Sequence, residues 1–354
     1  MGGALYTCSV RPLPLSNPPN PWSSTTVEWL GEPPNAPLHV YEERAKTIVN
    51  EIESPDVGMT WSLNPYRGCQ HACAYCYARP SHQYWGFGAG TDFDRNIVVK
   101  VNAAELLRET FDKRSWRGES ITFSGNTDCY QPLEASYRLT RGCLEVCLDY
   151  RNPAHVITKS ALVRRDVELL AELSRKARAG VTISIPFADD AMGRAIEPLA
   201  SACSNRFETI RLLASAGVRT SVNVAPIIPG LNDTQIVEVL ERAKEAGAER
   251  AAMILLRLPK EVLPVFTERL DEAFPERAGK VTRAIQDMRG GKMNTAEFGA
   301  RMEGKGPRWD AITRLFELTA RRVGLSAWEP GTDDTREEAS TFRRPSAQRS
   351  LFDL

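Results

Sequence analysis

The sequence has no net charge, no long hydrophobic run and little cysteine for its length. Its 354 residues include 45 lysines and arginines and 45 aspartates and glutamates, so no overall field draws the chain to nucleic acid or to a membrane. The first 21 residues have neither a basic start nor an apolar core, and no run is long enough to span a bilayer. We therefore expect a cytoplasmic protein without a membrane segment, in a compartment where thiols stay reduced.

Cysteine is absent from every position beyond Cys203, and only one short stretch is rich in it. There, Cys69, Cys73 and Cys76 follow a C-x3-C-x2-C spacing directly after Gly68, a residue that lets the backbone turn sharply. Thiolates this close together face one another across a metal centre, and iron–sulfur clusters are normally held by cysteines on a tight loop. No fourth cysteine completes this set, so one iron would keep the open position that a catalytic metal site requires.

A structural zinc ion is the alternative occupant of the loop. His71 or His82 would then be the fourth ligand beside the three sulfurs, giving a closed tetrahedral site without chemistry. Zinc knuckles are usually built from two pairs of ligands, whereas here a single triplet stands alone. A metal centre is therefore predicted under either interpretation, and the two differ in whether it reacts.

The loop, written as Cys69-x3-Cys73-x-Tyr75-Cys76, resembles the radical S-adenosylmethionine (SAM) superfamily. The resemblance implies a [4Fe-4S] cluster whose fourth iron binds the amino and carboxylate groups of SAM. One electron then cleaves SAM to methionine and a 5′-deoxyadenosyl radical, which abstracts hydrogen from a substrate. The resemblance also implies a reducing electron donor of the flavodoxin or ferredoxin type. Auxiliary clusters in this superfamily use further cysteines near the C-terminus, which this chain lacks, so we expect a single cluster.

Beyond the loop, short apolar strands alternate with helices. The strands are predicted at 59–63, 120–124, 155–159, 181–186, 220–225 and 251–256. Helices are predicted between them at 103–111, 139–148, 165–178, 206–216 and after a cap at 232–234. Strands separated by helices of this length demand parallel pairing with crossovers. The pattern fits an α/β fold with a partial, TIM-like (β/α)6 barrel, as the resemblance implies, although a flavodoxin-like open sheet has the same periodicity.

Composition divides the chain into four parts. A proline-rich, flexible arm (1–37) precedes the barrel (38–256), a mostly helical C-terminal extension (257–330) follows, and a polar, flexible tail (331–354) ends the chain. Within the barrel part, 39–53 is predicted to be amphipathic or irregular, and the aromatic, glycine-rich segment 78–94 to be a lid or packing flap. Helices at 264–289 and 306–324, joined by two glycines, are predicted for the extension.

Polar residues that follow the strands are the candidates for binding SAM, because strand ends form the functional rim of such barrels. The segment after the second strand contributes Ser124, Gly125, Asn126, Thr127 and Asp128, where the superfamily usually keeps a Gly-Gly-Glu segment for the amino group. Asp128 or the hydroxyl of Ser124 would bind the ammonium. Asp128 fits a helix N-cap equally well.

Three further strand ends carry candidates of the same kind. Lys159 suits the SAM carboxylate, Ser184 the carboxylate or the ribose, and Asn223 the ribose. Lys159 would otherwise be solvated, and Ser184 would bond to the backbone. Tyr75 would pack against the adenine or hold the cysteine loop.

Two segments resemble the branch of the superfamily related to spore photoproduct lyase. These are Asn-Pro-Tyr-x-Gly-Cys at 64–69 and Thr-Asp-x-Tyr-Gln-Pro at 127–132. The resemblance implies a nucleic-acid substrate, DNA or RNA, and a reaction of lesion repair or base modification. In spore photoproduct lyase a cysteine returns hydrogen to the product radical, and Cys129 is the candidate here, although its local motif does not align cleanly. A radical enzyme for peptides or small molecules, or a non-catalytic iron–sulfur or zinc module, is the alternative.

Two further features bear on a nucleic-acid partner. Local cations would have to bind the phosphates, and the candidates near the rim are Arg79, Arg95, Lys100, Arg164 and Arg165, although charged helix faces are usually only solvated. The tail sequence Gln348-Arg349-Ser350-Leu351-Phe352 resembles the bacterial sliding-clamp-binding peptide, with Gln348, Leu351 and Phe352 as its anchors.

Overall fold

The fold was analysed in a computed structural model that describes residues 37–327 and 340–345. The strands in these ranges are, in chain order, β1 (His39–Glu43), β2 (Val49–Glu51), β3 (Trp61–Leu63), β4 (Tyr66–Arg67), β5 (Asn96–Lys100), β6 (Ile121–Phe123), β7 (Ala154–Thr158), β8 (Ala179–Ser184), β9 (Arg219–Ile227), β10 (Arg250–Leu255) and β11 (Ser326–Ala327).

The same ranges contain α-helices and three short 3-10 helices. The α-helices are α1 (Thr91–Arg95), α2 (Ala103–Asp112), α3 (Glu134–Tyr137), α4 (Leu139–Asp149), α5 (Val167–Ala177), α6 (Asp190–Ile196), α7 (Cys203–Ser215), α8 (Ile236–Glu245), α9 (Val262–Ala273), α10 (Pro275–Met288) and α11 (Pro307–Val323). The 3-10 helices cover Arg79–Trp85, Ala161–Asp166 and Asp233–Gln235. None of these helices has the length and hydropathy needed to cross a membrane.

The main sheet has eight strands in the order β11-β10-β9-β8-β7-β6-β3-β2. Every pair from β3 to β11 is parallel, and only β2 runs antiparallel, at the edge beside β3. The six predicted strands are its central members, β3 and β6 to β10. The predicted partial (β/α)6 barrel is therefore confirmed, with β2 and β11 added at its two edges.

The apolar faces of the helices pack against this sheet. In α8, Ile236, Val239, Leu240 and Ala243 are all buried at the three- and four-residue spacing of one helix face. Their burial against β9 and α11 stabilises the fold, since each large aliphatic side chain contributes about 1.5–3 kcal/mol when removed from water. Gly247 follows the helix with a φ of +102°, a conformation open to glycine.

The inner face of the sheet borders a cavity of about 950 Å³. Ile157, Thr182 and Asn223, from three neighbouring strands, lie on its wall. Successive side chains of a strand alternate between its two faces, so Lys159 and Ser184, each two residues further along, share this inner face. The cavity itself is lined mainly at the amino ends of the strands, so Asn223 is the candidate for binding SAM on its wall, and Lys159 and Ser184 lie further along the same face.

The region predicted to be amphipathic or irregular, 39–53, instead contains two short strands with mostly exposed side chains, so this prediction was wrong. β1 pairs in parallel with β5, which also pairs with β4, in a separate three-stranded sheet. β2 pairs with β3 in the main sheet. The side chains of β1 are mostly exposed, so the apolar alternation that identifies a half-buried strand is missing.

The helix predicted over 264–289 is divided into α9 and α10. The break lies at Phe274, directly before Pro275. Proline lacks the N–H of the helical ladder and is tolerated only in a first turn, so a new helix begins at that residue.

A short part of the predicted flexible tail packs against the barrel. The ring of Phe342 lies 6.1 Å from that of Tyr150 and 5.8 Å from that of Phe111. Arg344 donates hydrogen bonds to the carbonyls of Phe111 (3.0 Å) and Lys113 (2.6 Å). Residues 340–345 are therefore anchored. The arm up to residue 36 and the clamp-binding anchors Gln348, Leu351 and Phe352 lie outside the described residues, and those predictions stay predictions.

Candidate functional site

The cysteine loop begins where β4 ends, with a turn that only glycine fits. Gly68 has a φ of +75°, and a Cβ there would lie 2.9 Å from the carbonyls of Phe93 and Asn96. The next residue, Cys69, donates its backbone N–H to the Phe93 carbonyl at 2.9 Å. A side chain at residue 68 would push the loop away from this anchor, so the glycine fixes where the first thiol lies.

The three thiols lie in one largely buried environment. Cys69 and Cys73 are 7% and 8% exposed, and Cys76 is partly buried. Burial and the nearby Cys69 raise the pKa of Cys76 to about 11, and burial and Glu197 raise that of Cys73. Three thiolates in such a space need a positive centre to offset their charge, which iron provides. The donor set therefore fits an iron–sulfur cluster with one cysteine on each of three irons.

The histidines proposed as a fourth zinc ligand have other partners. His71 lies on the loop, with Nδ1 3.3 Å from the Asp128 carboxylate, and His82 Nε2 lies 2.8 Å from the Asn96 carbonyl. Within residues 37–327 and 340–345, no three His, Cys, Asp or Glu side chains form a group that could hold a metal ion by themselves. His71 also bonds to the Cys69 side chain, so both imidazoles are engaged with groups of the protein.

Asp128 links the loop to the third strand of the barrel. Its carboxylate accepts hydrogen bonds from the Thr158 hydroxyl (2.6 Å), the Lys159 N–H (2.7 Å) and the Tyr130 N–H (2.9 Å), and it pairs with His71. Burial raises the pKa of Asp128, but His71 and these donors outweigh it and bring the pKa to about 2. Four partners fill the acceptor positions of the carboxylate, so its structural role is to hold the loop against β7. A contact with the SAM ammonium stays a prediction.

The rest of the Thr-Asp-x-Tyr-Gln-Pro segment also binds the loop and its approach. Gln131 donates to the Gly68 carbonyl at 3.2 Å and accepts from the Gln70 N–H at 3.0 Å. The Thr127 hydroxyl donates to the Tyr66 carbonyl at 3.3 Å, and its own carbonyl accepts from Asn64 at 2.6 Å. The two segments noted in the sequence therefore form one hydrogen-bonded unit.

A row of polar groups runs from the carboxyl ends of β7 and β8 to the middle of β9. Ser184 is the direct partner of Asn223, and Lys159 follows Thr158, the residue paired with Ile183. The side-chain oxygen of Asn223 is buried and has no hydrogen-bond partner. Ser184 is 4% exposed, and the Lys159 side chain lies over the Tyr75 ring. Buried polar groups are normally satisfied, so this row fits a polar ligand beside the cluster.

The charge of Lys159 is maintained by its surroundings. Burial lowers its pKa, but Glu197 and Cys73 favour the ammonium, and the pKa lies above its usual value. The ammonium nitrogen also lies 5.7 Å from the centre of the Tyr75 ring. Lys159 is therefore a fixed cation that faces the cysteine loop, as binding of a carboxylate requires.

Tyr75 is held by the buried ion pair of Glu197 and Arg206, which the sequence does not predict. Its hydroxyl donates to Glu197, which also accepts from Arg206 at 2.5 Å. Both charged residues are 1% exposed. The adjoining end of α6 supports the loop directly, since the Ile196 carbonyl accepts from the Ala74 N–H at 3.0 Å. This network favours the loop-holding role of Tyr75, and its packing against adenine stays a prediction.

The remaining candidates after β6 differ in exposure. Ser124 and Gly125 are partly buried, Asn126 is exposed, and the Gly125 carbonyl accepts from the Tyr77 hydroxyl. Cys129 is fully buried, and its thiol donates to the Phe123 carbonyl at 3.5 Å, within the hydrophobic core. A hydrogen donor must reach the substrate, so the position of this thiol does not support that role.

Most of the rim cations proposed for phosphate have internal partners instead. Arg79 is fully buried and donates to the carbonyls of Cys73, Ala89 and Gly90 and to Asp94. Lys100 is 6% exposed and donates to Asn64 at 3.0 Å. The prediction that these two are surface cations was wrong, because their charges are used inside the protein. Arg164 and Arg165 likewise bond to protein groups, Arg164 to Thr209 and Asn205, and Arg165 to Glu134 and Asp166.

Comparison with known proteins gives consistent results. An uncharacterized protein of Mycobacterium tuberculosis (strain ATCC 25618 / H37Rv) is 34% identical over 239 residues, 67% of this chain and 70% of that protein. The radical SAM Nalpha-GlyT isomerase of Pseudomonas phage M6 is 26% identical over 266 residues, 74% of this chain and 52% of that protein. The structure of spore photoproduct lyase complexed with dinucleoside spore photoproduct superposes with a TM-score of 0.56 at 16% identity, covering 81% of each chain, and so shares the fold.

The family model described as the Radical SAM superfamily matches residues 63–243, which include the cysteine loop, the segment around Asp128 and the row of polar strand ends. Enzymes of this superfamily hold a [4Fe-4S] cluster and SAM, the two groups for which the thiols and the unpartnered strand-end groups are suited. They also need a reductant. The chain therefore belongs to the radical SAM superfamily of enzymes.

Proposed function

We propose that this radical SAM enzyme acts on a nucleic acid, in lesion repair or base modification. The observation that carries the proposal is the row of Lys159, Ser184 and Asn223, which lies on the inner face of the barrel and faces the cysteine loop through Lys159. Asn223 also lines a cavity of about 950 Å³ inside the barrel, which has room for part of a ligand. The cluster and SAM, when bound, supply the electron and the hydrogen-abstracting group, so the protein residues bind, orient and shield.

Each member of the row has a distinct task in this proposal. The Lys159 ammonium binds the carboxylate of SAM through a charge-assisted hydrogen bond. The Ser184 hydroxyl and the Asn223 amide bind the ribose hydroxyls, which satisfies the buried oxygen of Asn223. Since the three groups lie on adjacent parallel strands, the rigid sheet fixes their spacing.

The substrate class is supported by an aromatic surface beside the loop. Tyr84, Tyr41 and Trp85 are 76%, 44% and 43% exposed, and the Arg67 guanidinium lies 4.6 Å from the centre of the Trp85 ring. Exposed aromatic rings next to a cation are typical of surfaces on which unpaired bases stack, at about 1–3 kcal/mol per base. The name of the structural neighbour's ligand, a dinucleoside, points to the same class. A flavodoxin or ferredoxin is the proposed electron donor.

Replacing Lys159 with methionine is expected to weaken SAM binding. A hydrogen bond to a charged group contributes about 1.5–3 kcal/mol, so the dissociation constant of SAM should rise about 10- to 100-fold. The iron content should not change, because Lys159 is not a ligand. Binding of radiolabelled SAM to the reconstituted protein measures the effect. Lys176→Met, which removes an exposed lysine paired with Glu172, is the control. Equal affinity in Lys159→Met and the wild type would contradict the assigned role.

The substrate proposal is tested by the rate of 5′-deoxyadenosine formation after anaerobic reconstitution and reduction. Single-stranded DNA, ultraviolet-irradiated duplex DNA, transfer RNA and a peptide mixture are added in parallel. We expect stimulation by a nucleic acid, with a change in the mass of one of its bases. Stimulation by the peptides alone would overturn the nucleic-acid assignment. A loaded cluster that cleaves no SAM under any of these conditions would favour the non-catalytic alternative.

A further inference from the structure

Three arginines lie together at the carboxyl end of the sixth parallel strand, on the side where the barrel is open. Arg257 follows β10, Arg289 follows α10, and Arg301 lies in the loop before α11. Arg289 donates to the carbonyls of Leu256 (2.7 Å) and Arg301 (3.2 Å), which brings the three side chains into one arginine cluster.

The arginine cluster borders the cysteine loop. The guanidinium of Arg257 lies 5.4 Å from the centre of the Tyr77 ring, and Tyr77 follows Cys76 directly. The Tyr77 hydroxyl donates to the Gly125 carbonyl, at the end of the second parallel strand. Tyr77 therefore connects the arginine cluster to the segment that follows β6.

Several donors of the cluster have no acceptor. Arg289 is 8% exposed, and its Nε and Nη1 are buried without hydrogen-bond partners. The Nε of Arg257 is also buried without a hydrogen-bond partner. The Nη1 of Arg257 lies 3.8 Å from the sulfur of Met302. Arg301 differs, because Asp56 and Ser54 accept its hydrogen bonds. Arg257 and Arg289 therefore have N–H donors with no acceptor among the described residues.

The charges of the cluster are unbalanced as well. Asp56 is the carboxylate that acts on Arg257. Burial, and after it the charge of Arg257, lower the pKa of Arg289 to about 10. Within the described residues, Asp56 is thus the carboxylate that acts on Arg257 and Arg301, and none acts on Arg289. Buried charges are normally paired, since an unpaired one costs several kcal/mol of desolvation. A buried cluster with this excess of positive charge is suited to binding an external anion.

We propose that the arginine cluster binds a phosphate group, and that its source is the backbone of the nucleic-acid substrate. The planar fork of a guanidinium matches two oxygens of a phosphate, and Arg257 and Arg289 together offer more donors than a single carboxylate can use. The choice of nucleic acid rests on the proposed function, whereas the phosphate site itself rests on the unsatisfied donors. A phosphate held here anchors the strand next to Tyr77 and the cysteine loop.

Arg257→Gln is the variant that tests the site, because Arg257 donates no hydrogen bond to the backbone and its loss leaves the fold intact. Binding of fluorescein-labelled hexathymidylate to the reconstituted holoenzyme is followed by anisotropy over a series of KCl concentrations. We expect the affinity to fall about tenfold and the slope of log K against log salt to decrease by about 0.7, the value for one phosphate contact on a single strand. Arg211→Gln, which removes an exposed arginine of α7 paired with Glu208, should change neither quantity.

A second measurement separates this site from the proposed function. Inorganic phosphate at constant ionic strength should raise the melting temperature of the wild type and not that of Arg257→Gln, because a ligand stabilises only the state that binds it. If hexathymidylate binds Arg257→Gln with the wild-type affinity and slope, the phosphate site is overturned while the nucleic-acid function stands. If the wild type responds to inorganic phosphate and binds no oligonucleotide, the site stands and its assignment to a nucleic acid is overturned.

Discussion

Cys73→Ala is expected to abolish cluster assembly and, with it, the cleavage of SAM. The loop offers three thiolates, and a cluster that already leaves one iron without a protein ligand does not tolerate the loss of a second. Cys73 is 8% exposed, so solvent cannot easily take the place of the missing sulfur. After anaerobic reconstitution, iron and sulfide should fall to background, the charge-transfer absorbance should vanish, and 5′-deoxyadenosine should not form on reduction.

Cys147→Ala is the matched control for this experiment. Its thiol is fully buried on α4 and packs in the hydrophobic core. Losing that sulfur should lower the free energy of unfolding by about 1–2 kcal/mol and leave the iron content unchanged. A Cys73→Ala protein that keeps its iron and still cleaves SAM would contradict the ligand assignment. Iron lost in both variants would mean that the protein tolerates no change of its core.

The parallel barrel could be predicted because its signal is local. The chain repeats short apolar strands, amphipathic helices such as α8, and glycines that end helices. Each strand–helix unit can therefore be predicted from its own residues. The sheet β1-β5-β4 gives no such signal. β4 has two residues and β1 is mostly exposed, so their pairing with β5 depends on contacts made only after the barrel has formed.

The site could be predicted in kind but not in detail. Spacing predicts the three thiols as ligands, and position along the strands predicts Lys159, Ser184 and Asn223 as neighbours, which the register of the parallel sheet brings together. The partners of Asp128 could not be found in this way. Its position after a strand predicts a ligand-binding segment, whereas the fold shows that Asp128 holds the cysteine loop through His71.

Buried charge is the feature that sequence reasoning missed most consistently. Arg79, Glu197 and Arg206 are each at most 1% exposed, whereas charged residues are normally expected at the surface. Their burial becomes possible when an opposite charge and several carbonyls converge on them, and these partners are distant in sequence. Arg79 bonds to Cys73 and Glu197 to Tyr75, both in the cysteine loop, and Arg206 pairs with Glu197.

Arg79→Met is expected to destabilise the protein strongly and to loosen the cluster. Arg79 donates to the Cys73 carbonyl at 3.1 and 2.9 Å, to Ala89 and Gly90 at 3.0 and 2.8 Å, and to Asp94 at 3.0 Å. Removing it leaves Asp94 buried without its partner, a change that costs about 3–5 kcal/mol. Urea unfolding monitored by circular dichroism measures this loss, and the half-life of the cluster absorbance in the presence of a chelator measures the effect on the loop.

The destabilisation of Arg79→Met should depend on pH in a defined direction. Burial raises the pKa of Asp94 to about 6 although Arg79 lowers it, so in the variant the pKa should lie higher still. A carboxyl whose pKa is higher in the folded state than in the unfolded state loses stability as the pH rises toward the folded value. The free-energy loss should therefore be greater at about pH 8 than at about pH 6. A loss that is independent of pH over this range would mean that Asp94 is not the source of the penalty.

The double variant Arg79→Met/Asp94→Leu separates the charge of Arg79 from its hydrogen bonds. With the buried carboxylate removed as well, most of the lost stability should return, because replacing both members of a buried ion pair by apolar groups is often nearly neutral. The bonds to the Cys73 carbonyl stay missing, so cluster loss to the chelator should remain as fast as in Arg79→Met. If cluster retention recovers together with stability, Arg79 serves the fold alone. If stability recovers and retention does not, its side chain directly holds the loop that presents the second cysteine to the cluster.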